Sequence, residues 1–564
     1  MMIEYNFDEF TKPSKQDWLN KLNQDLGADL AGRALNWSCE ENLELSAYYN
    51  KEDLAEKTPI LTRSTGEWKY LQKLNESNSN NEVHEALMNG ADGLLLDGSL
   101  VDTIDKSLNK VSPEYCTISV VTNENEVYAK FVDWWVKSHT TSKKGEVLIF
   151  DSIDKIEHYK PSQDIAFLDE AFGTSEKHGH KLLSLNGALI QRAGGSVIVE
   201  LAYILSQAVF KINHLLDQGK SWQSINKSLF INTAVGSSYF LELSKVRAAR
   251  LLLTQLLSQY QKEDYQVPIY ATTSSLTKSN LDSNSNFLRC TSEAMSAILG
   301  GVDYLSIEPN HSIKSANRIA RNISNLLREE SSFGKVQDPS GGSYYIEHLT
   351  AQLAKEAWDM FQEIESKGGF QWAVENDFFT NHIQNEFAYK KQKLNSGKRK
   401  MVGVNDYGNS DEKLASTDLP SNFVSLSSKY EELRRSVEVC VEAGNHRPVI
   451  YLMPVGSNAK MINARFTFVT NFFNWAGFEV LKTNNQVSSK GIAVCCGADE
   501  DYTEDLISAT LSNYGDFVMV LAAGKKLEES SSQISGWVNM KSDRLATIEN
   551  ILNEMGILTN SKLS

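Results

Sequence analysis

Residues 184–260 read SLNGALIQRAGGSVIVELAYILSQAVFKINHLLDQGKSWQSINKSLFINTAVGSSYFLELSKVRAARLLLTQLLSQY. A short apolar run is followed by a glycine-rich turn and a long helical pattern, and the same sequence of features then repeats. Each helix should run roughly five to six turns. In sheets and barrels of βα units, the loop after a strand is where chemistry sits. These two loops carry no acid, base or nucleophile of the kind catalysis draws on. A full catalytic frame therefore surrounds an empty place.

Working outward, the βα alternation extends over about 60–370. Candidate strands are 93–97, 117–121, 147–151, 182–186, 229–233, 268–273 and 304–307, with GGSYYIE at 341–347 as the eighth. Helical patterns at 126–137, 196–217, 237–260, 287–299 and 313–330 separate them, and one at 348–366 follows. Strands alternating with helices imply a parallel sheet, and eight units imply a closed (β/α)8 barrel. A polar, charged stretch at 388–425 and a helix at 425–443 come next. From 446 to the end, strands and helices alternate again, as in a small doubly wound domain whose ligands sit at the strand carboxyl ends. The fold class is thus α/β. The expected division is an arm at 1–60, a barrel at 61–387, a linker with a helix at 388–444 and the small domain at 445–564. In the arm, SKQDWLNKLNQDLG predicts a helix capped by Ser14 and closed by Gly27. That arm packs on its own domain or wraps a partner.

The chain has 564 residues and a net charge of −16, which argues against nucleic acid as a partner. No apolar run is long enough to span a membrane, and MMIEYNFDEFTKP does not read as a signal peptide. The six cysteines include no CxxC pair, so reduced, buried thiols of a cytoplasmic protein are expected, Cys495 and Cys496 among them. His178 and His180 form a lone HxH with no acidic or cysteine partner nearby, and no metal site is expected.

Several stretches narrow the family: QRAGGSVIVELAYILSQAV (191–209), SSYFLELSKVRAARLL (237–252), LRCTSEAMSAILGGVDYL (288–305), NRIARNISNLLREESSFGKVQDPSGGSYYIEHLT (317–350) and RKMVGVNDY (399–407). In that order they resemble the adenosylcobalamin-dependent acyl-CoA mutases, methylmalonyl-CoA mutase above all, over the whole barrel. The resemblance implies a C-terminal flavodoxin-like, cobalamin-binding-like domain. Catalytic chains of the family carry a Tyr-His pair ahead of the QxAG motif, where the histidine serves the thioester carbonyl. Here an ungapped alignment on Gln191 puts Ala188 and Leu189 there, and neither can donate a hydrogen bond. Catalytic chains also carry Asp-x-His-x-x-Gly in the small domain, with the histidine as lower axial ligand to cobalt. Alignment back from Gly477 puts Lys460 at the carboxylate and Ile462 at the ligand, and no histidine follows His446.

Two losses in two domains agree. The resemblance, which DWLNKLNQDL, LNW and AYY of the arm extend, implies the small, catalytically inactive subunit of a heterodimeric mutase. That complex interconverts (R)-methylmalonyl-CoA and succinyl-CoA by radical rearrangement, with adenosylcobalamin and acyl-CoA on the large partner subunit. The alternatives are a stand-alone barrel enzyme with a re-purposed site, or a scaffold protecting the mutase. A re-purposed site would draw on Asn186, Gln191, Thr233, Thr272, Thr273 and Ser274. The DPSGGSYY stretch at 338–345 reads as a tight turn rather than a phosphate loop. Lys245 with Glu242 reads as ordinary helix pairing beside Arg247 and Arg250, and Arg318, Arg321, Glu329 and Glu330 as a solvated or interface set.

Overall fold

The computed structural model describes residues 13–27, 35, 37–38, 43–54, 63, 66–74, 79–138, 146–153, 155–261, 266–309, 315–410, 412, 424–483, 491–512, 514 and 517–560. Eight parallel strands form the larger sheet: β1 (Lys69–Leu74), β2 (Gly93–Asp97), β3 (Thr117–Val121), β4 (Ile149–Phe150), β5 (Leu183–Asn186), β6 (Leu229–Val235), β7 (Ile269–Thr273) and β8 (Tyr304–Ser306). Their order is β4-β3-β2-β1-β8-β7-β6-β5. The ends of that order, β4 and β5, meet only through a bridge at Leu148 and Lys181, with the Ile149 and Lys181 amides donating across the seam at 2.8 Å each. The barrel is therefore nearly closed.

The eighth strand is β1, not the expected 341–347. Residues 338–343 make a turn, and Tyr344–Ser366 is a helix that buries Ile346, Leu349, Leu353 and Ala357 on one face. That i, i+3, i+7 spacing outweighs the strand preference of Tyr344 and Tyr345. The turn reading of 338–343 holds: Arg247 binds Asp338 and, at 2.8 Å, Glu347, while the Gly342 amide donates to Glu347 at 3.1 Å.

The long helices Val197–Asp217 and Tyr239–Leu257 pack against each other and against Tyr344–Ser366, and the first also lies on β5. Ser196 caps the first by accepting from the Val199 amide. Shell and strands share one extended apolar core. In the arm, Ser14 and Asp17 form a capping box at the start of Lys15–Leu26, and Gly27 closes it at φ 78°. The helix Phe378–Asn395 crosses residue 387, and Asn405 ties its end to the next segment through Met401, Leu394 and Arg399.

The C-terminal sheet has five strands: β9 (Val449–Pro454), β10 (Glu479–Lys482), β11 (Ile492–Cys496), β12 (Met519–Ala523) and β13 (Gly536–Val538). All pairings are parallel, in the order β10-β9-β11-β12-β13. No helix among the described residues is long and apolar enough to cross a membrane.

Candidate functional site at the barrel mouth

Ala188 and Leu189 open the short helix Ala188–Arg192, directly after β5. Their relative exposures are 0% and 2%. Leu189 belongs to an apolar cluster with Tyr159, Ile190, Val199, Tyr203 and Phe379. Leu189 is packing, Ala188 is fully buried, and neither carries a hydrogen-bond donor.

The mouth itself holds a cavity of about 480 Å³ whose wall carries Lys73, Lys155, Arg192, Glu157 and Glu308. Lys73 ends β1 and Glu308 follows β8, so adjacent strands present them at the same level. Their charged atoms lie 2.9 Å apart, and Thr272 donates to Glu308 at 3.0 Å. Burial would push the Glu308 carboxyl up, but Lys73, Arg192 and these hydrogen bonds outweigh it and hold the group down at about 2. Glu308 is thus a fixed anion and a poor proton acceptor near neutrality. Gly194, at φ 97°, follows Arg192 and Ala193. A Cβ there would fall 2.6 Å from Phe387, so the glycine lets the Phe378–Asn395 helix approach the mouth.

Below the cavity the lumen is filled. Leu71, Leu95, Leu148, Phe150, Phe230, Tyr270 and Tyr304 form one buried cluster. The Phe150 ring meets Phe230 at 5.0 Å and Tyr270 at 4.6 Å, both edge to face.

The polar residues considered for a re-purposed site are bound to other groups of the chain. Ser274 donates to Gln191 at 2.9 Å, and Asn232 to Asn186 at 3.0 Å. Thr233 donates to Glu200, a carboxylate on the Val197–Asp217 helix. Lys245 lies fully buried between Glu200 at 2.9 Å and Glu242 at 2.6 Å. The expected helix pair of Lys245 and Glu242 is present, but it is buried and is joined by Glu200 from another helix. Burial pushes the Glu200 carboxyl up to about 7 despite Lys245, and Glu242 adds to the rise. A second buried pair, Lys278 and Glu293, sits at 2.5 Å behind β7. Arg250 is likewise a strut, binding Asp303 at 2.9 Å and the Gly301 carbonyl at 2.8 Å. Of the expected interface set, Arg321 is buried, 3.5 Å from Glu85.

At the seam, Tyr159 donates to Asp164 at 2.7 Å and Lys211 reaches Asp164 at 2.9 Å. Burial, with the charge of Asp164, pushes Asp151 up to about 6.

In the C-terminal domain the loop after β9 is Val455, Gly456, Ser457 and Asn458, which offers neither imidazole nor carboxylate. Lys460 is exposed and Ile462 half-buried, and both lie on the helix Ala459–Asn474 instead of the loop. The strand ends are tied together by the chain itself. Arg465 binds the Ala523 carbonyl and, at 2.7 Å, Asp499, while the Tyr502 hydroxyl accepts from the Gly497 amide at 2.9 Å and donates to the Ala523 carbonyl at 2.6 Å. Cys495 and Cys496 are buried core, and burial pushes Cys495 up to about 12. His180 is buried against Tyr128, whose hydroxyl is 3.0 Å from its ring. Among the described residues no group of three or more His, Cys, Asp or Glu could hold a metal ion.

Sequence reasoning missed Lys73 and Glu308. Lys73 lies in the overlooked strand, but Glu308 directly follows a recognised strand, where a charged residue was a usable signal.

A sequence profile described as methylmalonyl-CoA mutase matches residues 156–437, half of the chain. The chain belongs to the methylmalonyl-CoA mutase family. It is 27% identical to the methylmalonyl-CoA mutase small subunit of Porphyromonas gingivalis, over 98% of each chain. With the small subunit of Streptomyces virginiae it shares 29% identity over 67% of this chain and 65% of the relative. With the large subunit from the same organism it shares 29% over 49% of this chain and 39% of the relative. The family match spans β5 to β8 of the barrel, the mouth residues that follow them and most of the helix before the C-terminal sheet.

Proposed function

We propose that this chain is the small, non-catalytic subunit of a heterodimeric, adenosylcobalamin-dependent methylmalonyl-CoA mutase, in the cytoplasm. The complex interconverts (R)-methylmalonyl-CoA and succinyl-CoA, and the large subunit holds the cobalamin and the acyl-CoA. The observation that carries the reading is the full burial of Ala188 and the apolar packing of Leu189 after β5, where a thioester carbonyl would need a hydrogen-bond donor. The plugged lumen and the 27% likeness to a small subunit over 98% of the chain support it.

The residues present do not fit cobalamin. The five-stranded sheet has the strand order of flavodoxin-like domains, whose ligands sit at the strand ends. There Arg465 and Tyr502 occupy the ends, and the loop after β9 supplies no cobalt ligand. Heterodimer formation is supported by the arm. Among the described residues the helix Lys15–Leu26 fully buries none of its own, Trp18, Leu19 and Leu22 are half-buried, Leu26 is 41% exposed, and Trp18 stacks on Tyr48 at 5.0 Å. We assign that apolar face to the large subunit.

The test is co-expression with a large subunit, followed by separate measurement of cobalamin absorbance and mutase turnover on each chain and on the complex. The expected result is a stable complex with all cobalamin on the large chain. Cobalamin retained by the isolated small chain, or turnover by it, overturns the proposal.

A further inference from the structure

A second groove, of about 360 Å³, shares no residue with the cavity at the mouth. One wall is the opening of the helix Ser285–Gly300. Ser285, Leu288, Arg289 and Ser292 stand there at i, i+3, i+4 and i+7, on a single helix face. The other wall is Arg399, Lys400, Met401 and Val402, from the segment after the helix Phe378–Asn395, with Ser237 beside them. Among the described residues the wall carries three cations and no carboxylate, in a chain of net charge −16. Arg289 donates to the Asn286 side chain and to the Val402 carbonyl, at 2.6 Å each, and Arg399 donates to the Ser237 hydroxyl at 3.0 Å. All three acceptors are neutral. The carboxylates of the neighbourhood have partners of their own: Asp282 accepts from Ser285 at 2.5 Å, Glu293 pairs with Lys278 at 2.5 Å, and Asp406 pairs with Lys400 at 2.6 Å. Burial holds Arg289 below its ordinary value, against the longer-range pull of Asp282 and Glu293. An anion in the groove offsets that cost, and the planar fork of a guanidinium suits two oxygens of one group. The rim is apolar: Leu288 is 73% exposed and Val402 51%. The volume lies within the range typical of small-molecule sites.

We infer that this groove binds a phosphate monoester, with the phosphate on Arg289, Arg399 and the Ser237 hydroxyl and a compact apolar body against Leu288 and Val402. No bond is made or broken there. A phosphate is favoured over a carboxylate because it brings a second charge and a third acceptor oxygen to donors that arrive from three segments of the chain. Binding uses this chain's residues alone, so it stands or falls separately from the subunit assignment.

The experiment is calorimetric titration of the purified full-length chain, without cobalamin or partner, with phenyl phosphate, phenylacetate and inorganic phosphate. Saturable binding of one equivalent of phenyl phosphate is expected, at least about tenfold tighter than phenylacetate, which lacks the second charge, and tighter than inorganic phosphate, which lacks the apolar body. Arg289→Gln should weaken phenyl phosphate roughly tenfold or more, and Arg289→Lys less. Because Arg289 also ties Asn286 to Val402, a second variant is made at the exposed rim: Leu288→Glu puts a carboxylate beside the site and should weaken binding about fivefold or more. Arg192→Gln, at the mouth, should bind like the parent. Circular dichroism confirms that the variants fold. The inference is overturned if phenyl phosphate does not bind, if phenylacetate or inorganic phosphate binds as tightly, if folded Leu288→Glu binds like the parent, or if Arg192→Gln abolishes binding.

Discussion

Replacing Lys245 by methionine removes the one cation between two buried carboxylates, Glu200 and Glu242, at 2.9 and 2.6 Å. It also strips the Ala234 carbonyl of a 2.6 Å hydrogen bond. Breaking a buried pair by removing one partner costs about 3–5 kcal/mol, because the charge left behind is uncompensated. The cost should depend on pH. Glu200 has a folded-state value of about 7, above its ordinary 4.5, so the share of stability it contributes by binding a proton is complete at low pH and is lost as pH rises through about 7. Without Lys245, which holds it down, Glu200 should be driven higher still, so between about pH 7 and 8 the folded variant binds up to one proton more than the folded parent. Each such proton is worth about 1.4 kcal/mol per pH unit. Between about pH 5.5 and 8 the penalty should therefore grow by roughly 1 kcal/mol, from about 3 to about 4. Urea unfolding of both proteins at the two pH values, followed by far-ultraviolet circular dichroism, measures it. Adding Glu200→Gln and Glu242→Gln to Lys245→Met should recover much of the loss. A penalty equal at both pH values, or below about 1 kcal/mol at pH 8, would refute the buried-charge account.

Phe230→Ala should empty part of the lumen, cost about 3–5 kcal/mol and create a dry cavity that xenon or benzene stabilises in a thermal melt. Lys73→Met should release Glu308 from about 2 toward the ordinary carboxylate range. The parent holds that stability above about pH 4.3 and loses it as pH falls toward 2, so acid unfolding of the variant, read by fluorescence, should begin at higher pH. Ala188→Tyr with Leu189→His should yield no mutase turnover, alone or with a large subunit. The melting temperature should fall, because an imidazole enters the cluster of Tyr203 and Phe379.

The βα frame was legible because β5 and β6 are short apolar runs and the helices after them carry a 3.6-residue period. β1 was not, because KYLQKL mixes Lys69, Gln72 and Lys73 with its apolar residues and reads like many surface segments. Three-residue β13 is too short to show any period. At the site, the absence of donors at 188 and 189 could be read from residue types alone. The roles of Lys245, Arg247 and Lys278 could not. Each looks like a surface cation in sequence, and each is buried with a carboxylate that arrives from another helix or turn, as far away as Glu347 from Arg247. Long-range pairing of that kind leaves no local signal.

The seam between β4 and β5 joins strands that are consecutive in the chain, whereas the first and last strands, β1 and β8, pair along Lys69–Tyr304 and Tyr70–Leu305. The covalent connection therefore runs across the weakest side of the cylinder, and the strand ladder is stronger where the chain is discontinuous. New ends placed in the exposed segment at Glu157 and His158 would leave every strand ladder of the sheet intact. A circular permutant opened there, with the old barrel ends linked, should retain the fold, and amide exchange should be fastest along Leu148 and Lys181.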